Sequence, residues 1–203
     1  MPETAMVGST TTTHRPQSPL SGAAARFAAA TRTSGGALRL AEVPFLAQIN
    51  VRLDPKGPAA EAVGLALGLQ LPPEPDTAVQ AGELTALSLG PDEWLVVGPP
   101  STQADLEARI RTAVGEEPAA VTDVSAQRTT VLVAGPRARD LLAHGCSLDL
   151  HPRAFGPGRC AQTTLARAQV VLIGRERGFC VLVRSSFAGY LADWLLDAAS
   201  EYV

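Results

Sequence analysis

The side chains that could do chemistry fall into four groups along the 203-residue chain. Asp92-Glu93 sets two carboxylates side by side, the raw material of acid–base catalysis, but they follow Gly90-Pro91 in a turn ahead of a strand, where acids commonly serve solubility. Asp123 stands two residues before Ser125, a spacing that lets an acid and a hydroxyl bond the local backbone or touch a ligand; the local role is the simpler one. His144, Cys146, His151 and Cys160 carry donor atoms that zinc accepts. Their spacing matches no common zinc knuckle, however, and a histidine at a helix end is favourable against the dipole without any metal. Gly156-Pro157-Gly158-Arg159-Cys160-Ala161 fits the looser dinucleotide pattern G-x-G-x-x-A, yet it lacks a strand before it and a helix after it, and Pro157 removes an N–H donor. It reads as a tight turn.

No nucleophile elbow, Walker loop or H-E-x-x-H is present, and no histidine stands beside a serine or cysteine in a recognisable nucleophile setting. A net charge of −3 gives no field that would gather phosphate backbones or an anionic membrane. With 46% hydrophobic and 18% charged residues the chain must fold, and its length suffices to bury roughly 70% of its extended surface. Two Trp, two Tyr and five Phe are few for a protein that stacks bases or flavin rings by itself. The three cysteines, Cys146, Cys160 and Cys180, show no C-x-x-C spacing and read as small buried apolar residues. The opening Met1-Pro2-Glu3-Thr4 has no basic and apolar regions of a signal peptide, and the apolar stretches 170–174 and 191–196 fall far short of the ~20 residues a bilayer requires. A reducing cytoplasm is the expected compartment.

Residues 1–19, with Ser9 and Thr10 to Thr13, carry no apolar period and read as a flexible N-terminal arm. Residues 20–203 read as an α+β domain of ferredoxin-like β-α-β modules, in two lobes of about 20–115 and 116–203. Leu38 to Glu42 and Gln48 to Leu53 are strand-like, the second alternating as though one face were wet. Pro58 opens a helix that Gly68 ends, and Pro72-Pro73-Glu74-Pro75 follows as a linker or surface loop. A unit of strand, tight turn and helix then recurs: Trp94 to Val97 with Gly98-Pro99, Val131 to Ala134 with Gly135-Pro136, and Val181 to Arg184 with Ser185-Ser186. Each turn offers a helix-start signal, a proline or a serine cap. In the last helix Phe187, Tyr190, Leu191, Trp194, Leu195 and Ala198 form an apolar stripe expected to pack on a sheet. Between Gln103 and Val114 the buried row is Leu106, Ile110 and Val114, while Asp105 with Arg109 and Glu107 with Arg111 form i, i+4 pairs on the wet side. Thr163 to Arg167 and Gln169 to Ile173 read as strands, and Arg175-Glu176-Arg177-Gly178 turns the chain into a hairpin.

Taken in order, Leu89-Gly90-Pro91-Asp92-Glu93-Trp94-Leu95-Val96, Val121-Thr122-Asp123-Val124-Ser125, Gln127-Arg128, Ala134-Gly135-Pro136, Leu141-Leu142, Asp149-Leu150 and Val183-Arg184-Ser185-Ser186-Phe187-Ala188-Gly189-Tyr190-Leu191 resemble the gamma subunits of heterotetrameric sarcosine oxidases. The same D-x-S, G-P and R-S pieces are more distantly similar to the folate-binding aminomethyltransferases of the glycine cleavage system. The resemblance implies an aminomethyltransferase-like fold and an accessory or assembly subunit without a catalytic residue, metal or cofactor of its own. It implies partners, the alpha, beta and delta subunits, that carry FAD, FMN, NAD, tetrahydrofolate and zinc. The complex so implied is a flavin-dependent oxidoreductase of sarcosine catabolism and one-carbon metabolism. It demethylates sarcosine to glycine, yields formaldehyde or 5,10-methylenetetrahydrofolate, and reduces oxygen to hydrogen peroxide. The alternative is a stand-alone tetrahydrofolate-binding module or one-carbon transferase, with Asp123, Ser125, Arg128 and Arg184 as the residues nearest the ligand.

Overall fold

A computed structural model describes residues 16–202. Ten strands and five α-helices follow in chain order among these residues: α1 (Ala24–Thr33), β1 (Arg39–Val43), β2 (Ala47–Leu53), α2 (Pro58–Leu67), β3 (Ala78–Ala81), β4 (Leu84–Gly90), β5 (Glu93–Gly98), α3 (Gln103–Val114), β6 (Ala119–Asp123), β7 (Arg128–Ala134), α4 (Ala138–Ala143), β8 (Cys160–Leu165), β9 (Ala168–Arg175), β10 (Gly178–Arg184) and α5 (Ala188–Ala199). They form two antiparallel sheets of five strands, ordered β3-β4-β5-β2-β6 and β1-β7-β10-β9-β8.

Both sheets are built on the same plan. β2, α2, β4, β5, α3 and β6 make a continuous ferredoxin-like βαββαβ unit, with β3 added at its edge. In the other sheet β7, α4, β9, β10 and α5 repeat the pattern with β8 added outside β9, but the last strand of the unit, beside β7, is β1 from the N-terminal side. The sheets therefore do not divide the chain at residue 115. β1 pairs with β7 across the expected boundary, and β6 pairs with β2 in the opposite direction.

Three apolar layers result. Helices α2 and α3 cover one face of the first sheet, with Leu106, Ile110 and Val114 buried as their spacing predicts. Helices α1, α4 and α5 cover one face of the second, around Phe27, Leu142, Leu191 and Leu195. The two remaining faces cover each other through Leu87, Leu95, Val97, Val171, Ile173 and Leu182. This middle layer corrects the wet face expected of β2: Gln48 is fully buried against the second sheet, where its Nε2 donates to the Arg128 carbonyl at 3.2 Å, Asn50 is half-buried, and Arg52 at the far end of the strand is exposed.

Local signals account for most boundaries. Pro58 occupies the first turn of α2, and Gly68 closes it in the left-handed conformation with φ 69°. Asp105 with Arg109 and Glu107 with Arg111 pair on the exposed side of α3 at 3.5 and 2.7 Å. The serine cap expected at α5 is absent: Ser185 Oγ donates to the Ala126 carbonyl at 3.1 Å, because the pairing of β7 with β10 carries residue 185 opposite that turn. The stripe on α5 is also rotated. Ala188, Leu191, Ala192, Leu195 and Ala199 face the core, whereas Phe187 and Tyr190 stay 44% and 41% exposed. Helix α1 escaped the sequence reading because its alanines and arginines give a weak period, anchored by Phe27 alone.

Residues 1–15 of the expected arm lie outside the described residues. At the arm's inner end Ser18 donates to Glu42 of β1, which also accepts from Thr129 Oγ1 of β7 at 2.6 Å. Leu20 beyond it is buried.

The Gly-Pro-Gly segment is a packing turn. A Cβ added to Gly174 in β9 would lie 2.1 Å from the Gly156 carbonyl oxygen, and Gly174 N donates to the Arg159 carbonyl at 2.9 Å. Gly174→Ala is expected to cost about 2–3 kcal/mol in a denaturant or thermal melt through this backbone clash. Gly189→Ala in α5, with nothing within 4 Å of the added carbon, is expected to be neutral or to stabilise by about 0.5–1 kcal/mol.

Candidate functional site

The end of the middle layer is where chemistry-bearing residues meet. On the face of the second sheet that looks toward the first, successive cross-strand rows change character. Leu132, Cys180, Ile173 and Cys160 form one row, Thr130, Leu182, Val171 and Gln162 the next, and Arg128 with Arg184 begin the last. The first row lies beneath the other sheet; the last opens into a polar cleft of about 270 Å³ lined by Arg128, Arg184, Gln162, Thr163, Thr164 and Gln169. Gln162 Nε2 donates to the Leu89 carbonyl of β4 at 3.1 Å and so ties the cleft to the first sheet.

Arg128 and Arg184 are direct register partners across β7 and β10. Two like charges placed opposite each other destabilise a strand pair by about 0.2–1 kcal/mol. Among the described residues neither guanidinium pairs with a carboxylate. Burial lowers the Arg128 pKa from its ordinary value and the neighbouring Arg184 lowers it further, while Glu93 opposes both. Arginine does not lose its proton in this range, so the shift registers the burial of a cation beside a second cation rather than a titration.

Of the four sequence candidates, the structure brings Arg128 and Arg184 together and sets Asp123 and Ser125 to a local task. Asp123 Oδ1 accepts from Ser125 N at 2.9 Å and from the Ser125 hydroxyl, whose oxygen accepts from Gln48 N at 2.9 Å. This relay fixes the turn that carries the chain from β6 of one sheet into β7 of the other. Gln162, Thr164 and Gln169 carry no signal in the sequence beyond alternation, as short polar residues on a hairpin do. The same alternation, polar on the face opposite Leu165, Ala168 and Val170, is the one clue that could have found them.

The other candidates are engaged elsewhere. Glu93 accepts from Asn50 Nδ2 at 2.8 Å and from Arg52 Nη2 at 2.5 Å, and Asp92 lies 3.9 Å from Arg52, so the acidic pair belongs to a surface ion cluster. His144 ends α4 as its position predicts and contacts Tyr202 Oη at 3.0 Å. Among the described residues no three of His, Cys, Asp or Glu gather into a metal-binding group. Of the three cysteines only Cys160 is buried, which corrects the expectation for Cys146 and Cys180; both lie at partly open positions beside the cores. Cys160 Sγ donates to the Thr77 carbonyl at 3.2 Å, and burial, reinforced by Asp76, pushes its thiol up to about 11. A groove of about 700 Å³ runs beside α2 between Gly64, Leu65, Gln70 and Trp94, and none of the four candidates reaches it.

Two outcomes follow for the intact chain. Ser125→Ala is expected to lower stability by about 1–2 kcal/mol in a melt, since Asp123 and the Gln48 amide both lose a partner. A water-soluble thiol reagent at pH 8 is expected to label Cys160 last, and only once denaturant opens the middle layer.

Comparison with known proteins settles the family. The family described as "Sarcosine oxidase, gamma subunit family" matches residues 52–201. The chain is 38% identical over 177 residues to "Sarcosine oxidase subunit gamma" of Corynebacterium sp. (strain P-1), and 39% identical over 177 residues to the protein of that name from Arthrobacter sp. Each alignment covers 86% of this chain and 86% of the relative. Among solved structures it superposes with a TM-score of 0.86 and 34% identity on a chain of the heterotetrameric sarcosine oxidase from Corynebacterium sp. U-96 in complex with pyrrole 2-carboxylate, covering 92% of this chain and 96% of that one. The aminomethyltransferase T of the glycine cleavage system from Bartonella henselae shares the fold at a TM-score of 0.60 and 15% identity, over 82% of this chain and 48% of that one. No helix among the described residues is long and apolar enough to cross a membrane. With the paired ferredoxin-like units matched nearly end to end, the chain belongs to the sarcosine oxidase gamma subunit family.

Proposed function

We propose that this chain is a non-catalytic assembly subunit of a heterotetrameric, flavin-dependent sarcosine oxidase in the cytoplasm. Its partners are the alpha, beta and delta subunits, on which FAD, FMN, NAD, tetrahydrofolate and zinc reside. The complex converts sarcosine to glycine, releases formaldehyde or 5,10-methylenetetrahydrofolate, and reduces oxygen to hydrogen peroxide.

The observation that carries this reading is the end-to-end match to one chain of a heterotetrameric oxidase. The surface supports it. Phe187, just before α5, and Tyr190 in its first turn stand half exposed in an edge-to-face pair with centroids 6.4 Å apart, and Phe45 is exposed to a similar degree. Aromatic side chains left open to water on a chain otherwise well packed are the kind that anchor subunit contacts. The reactive groups support it as well: Asp123 is bonded into a turn, Glu93 is held by Arg52, and the Cys160 thiol stays protonated at neutral pH.

Native mass measurement of the endogenous assembly is expected to find this chain in one particle with a flavin-bearing partner, while the isolated chain turns over no sarcosine. Micromolar binding of tetrahydrofolate by the isolated chain would instead favour a stand-alone folate module. In the assembled oxidase, Tyr190→Ala with Phe187→Ala is expected to weaken subunit association about 30-fold, roughly 2 kcal/mol, with little change in the melting temperature of the free chain.

A further inference from the structure

The polar cleft at the end of the middle layer holds an arrangement that the fold does not need. A strand end can be occupied by almost any residue, yet here two arginines face each other across neighbouring strands with no carboxylate between them among the described residues. Two acids of the adjoining strands are engaged elsewhere: Glu93, whose charge reaches Arg128, bonds Asn50 and Arg52, and Asp123 bonds Ser125. On the same face stand further donors, the amides of Gln162 and Gln169 and the hydroxyl of Thr164.

We propose that this cleft is a carboxylate seat, with Arg128 and Arg184 as its cationic jaws and the hairpin of β8 and β9 as its polar wall. Guanidinium groups match a carboxylate with paired, parallel N–H donors. A volume of about 270 Å³ lies below the usual span of drug-sized ligand pockets, roughly 300–1,000 Å³, and suits one compact anionic group rather than a cofactor. The occupant therefore has one chemistry and two conceivable sources: an acidic side chain or C-terminus of a neighbouring subunit, or a small free carboxylate. Arg184 leads within three residues to Phe187 and within six to Tyr190, so the seat and the exposed aromatic pair share one end of the molecule. The subunit source rests on the assembly role proposed above; the free source does not.

Opposed charges give the seat a signature of reversed sign. In the free full-length chain Arg184→Gln is expected to raise the melting temperature by about 1–3 °C, because repulsion is relieved. Sodium malonate, compared with sodium chloride at equal ionic strength, separates the sources. If malonate raises the melting temperature of the wild-type chain by 2 °C or more and does nothing for Arg184→Gln, the seat takes a free carboxylate. If malonate has no effect on either, but Arg184→Gln and Arg128→Gln chains leave the co-expressed four-subunit oxidase about 10- to 100-fold more readily than wild type in a salt series, the seat takes a partner's acid. Absence of both responses overturns the proposal, as does a drop in free-chain melting temperature for Arg184→Gln that Arg184→Lys restores, since that marks the arginine as structural support. Should Arg184→Gln fail to fold, Arg184→Lys, which keeps the charge and loses the fork, carries the same two comparisons. A wild-type chain that joins no oxidase would overturn the assembly role and leave the malonate comparison to decide the seat alone.

Discussion

Each sheet of this protein has helices on one face only, and an antiparallel sheet that is apolar on both faces has to cover the second with something. Here each covers the other. The contact of Leu87, Leu95 and Val97 with Val171, Ile173 and Leu182 is the constraint from which the remaining arrangement follows. It buries Gln48 and Cys160, and it obliges the chain to cross between the sheets at residues 44–46 and 124–127. The crossings are fastened by hydrogen bonds as well as by Leu46 and Val124, which pack against the middle layer. Val124 N donates to the Gln48 carbonyl at 2.9 Å, and Ser185 N to the Gln127 carbonyl at 3.0 Å. On the opposite edge, residues 76–78 and 158–160 bond across from one sheet to the other, with Ala78 N to the Gly158 carbonyl at 2.9 Å and Cys160 N to the Asp76 carbonyl at 3.0 Å.

The middle layer also explains what could and could not be read from the residues alone. Helix α2, bounded by Pro58 and Gly68, and helix α3, with its Leu106, Ile110, Val114 row, announce themselves through local chemistry. So do the hairpins and the three strand–turn–helix units. Nothing local says that Gln48 faces a second sheet, because a polar residue at an alternating position looks the same whether water or another sheet lies opposite. The rotation of the stripe on α5 has a similar origin: the small residues Ala188, Ala192 and Ala199 sit closest to the sheet, and the larger Phe187 and Tyr190 are turned outward. Bulk misled the sequence reading where closeness of packing decided.

The candidate residues were legible in the same uneven way. Asp123 and Ser125 stand two apart, so their mutual bond is a local matter. Arg128 and Arg184 belong to strands far apart in sequence, and their meeting depends on the register of β7 with β10, which no spacing rule encodes. Gln162 and Gln169 come to the same place through a hairpin whose face toward the first sheet is polar only near its turn. The cleft is thus a product of topology: it forms where the second sheet extends past the cover of the first.

The exchange of β1 into the later ferredoxin-like unit bears on how the chain is made. During synthesis residues 39–43 emerge early, but the strand they join, β7, leaves the ribosome only after the whole of the first unit, from β2 through β6. The nascent N-terminal segment, with the apolar side chains of Phe27, Leu38 and Leu40, must then wait uncovered while the unit behind it folds. Vectorial folding completes one module and leaves the other open until translation ends, a condition that favours early protection of this segment by a chaperone.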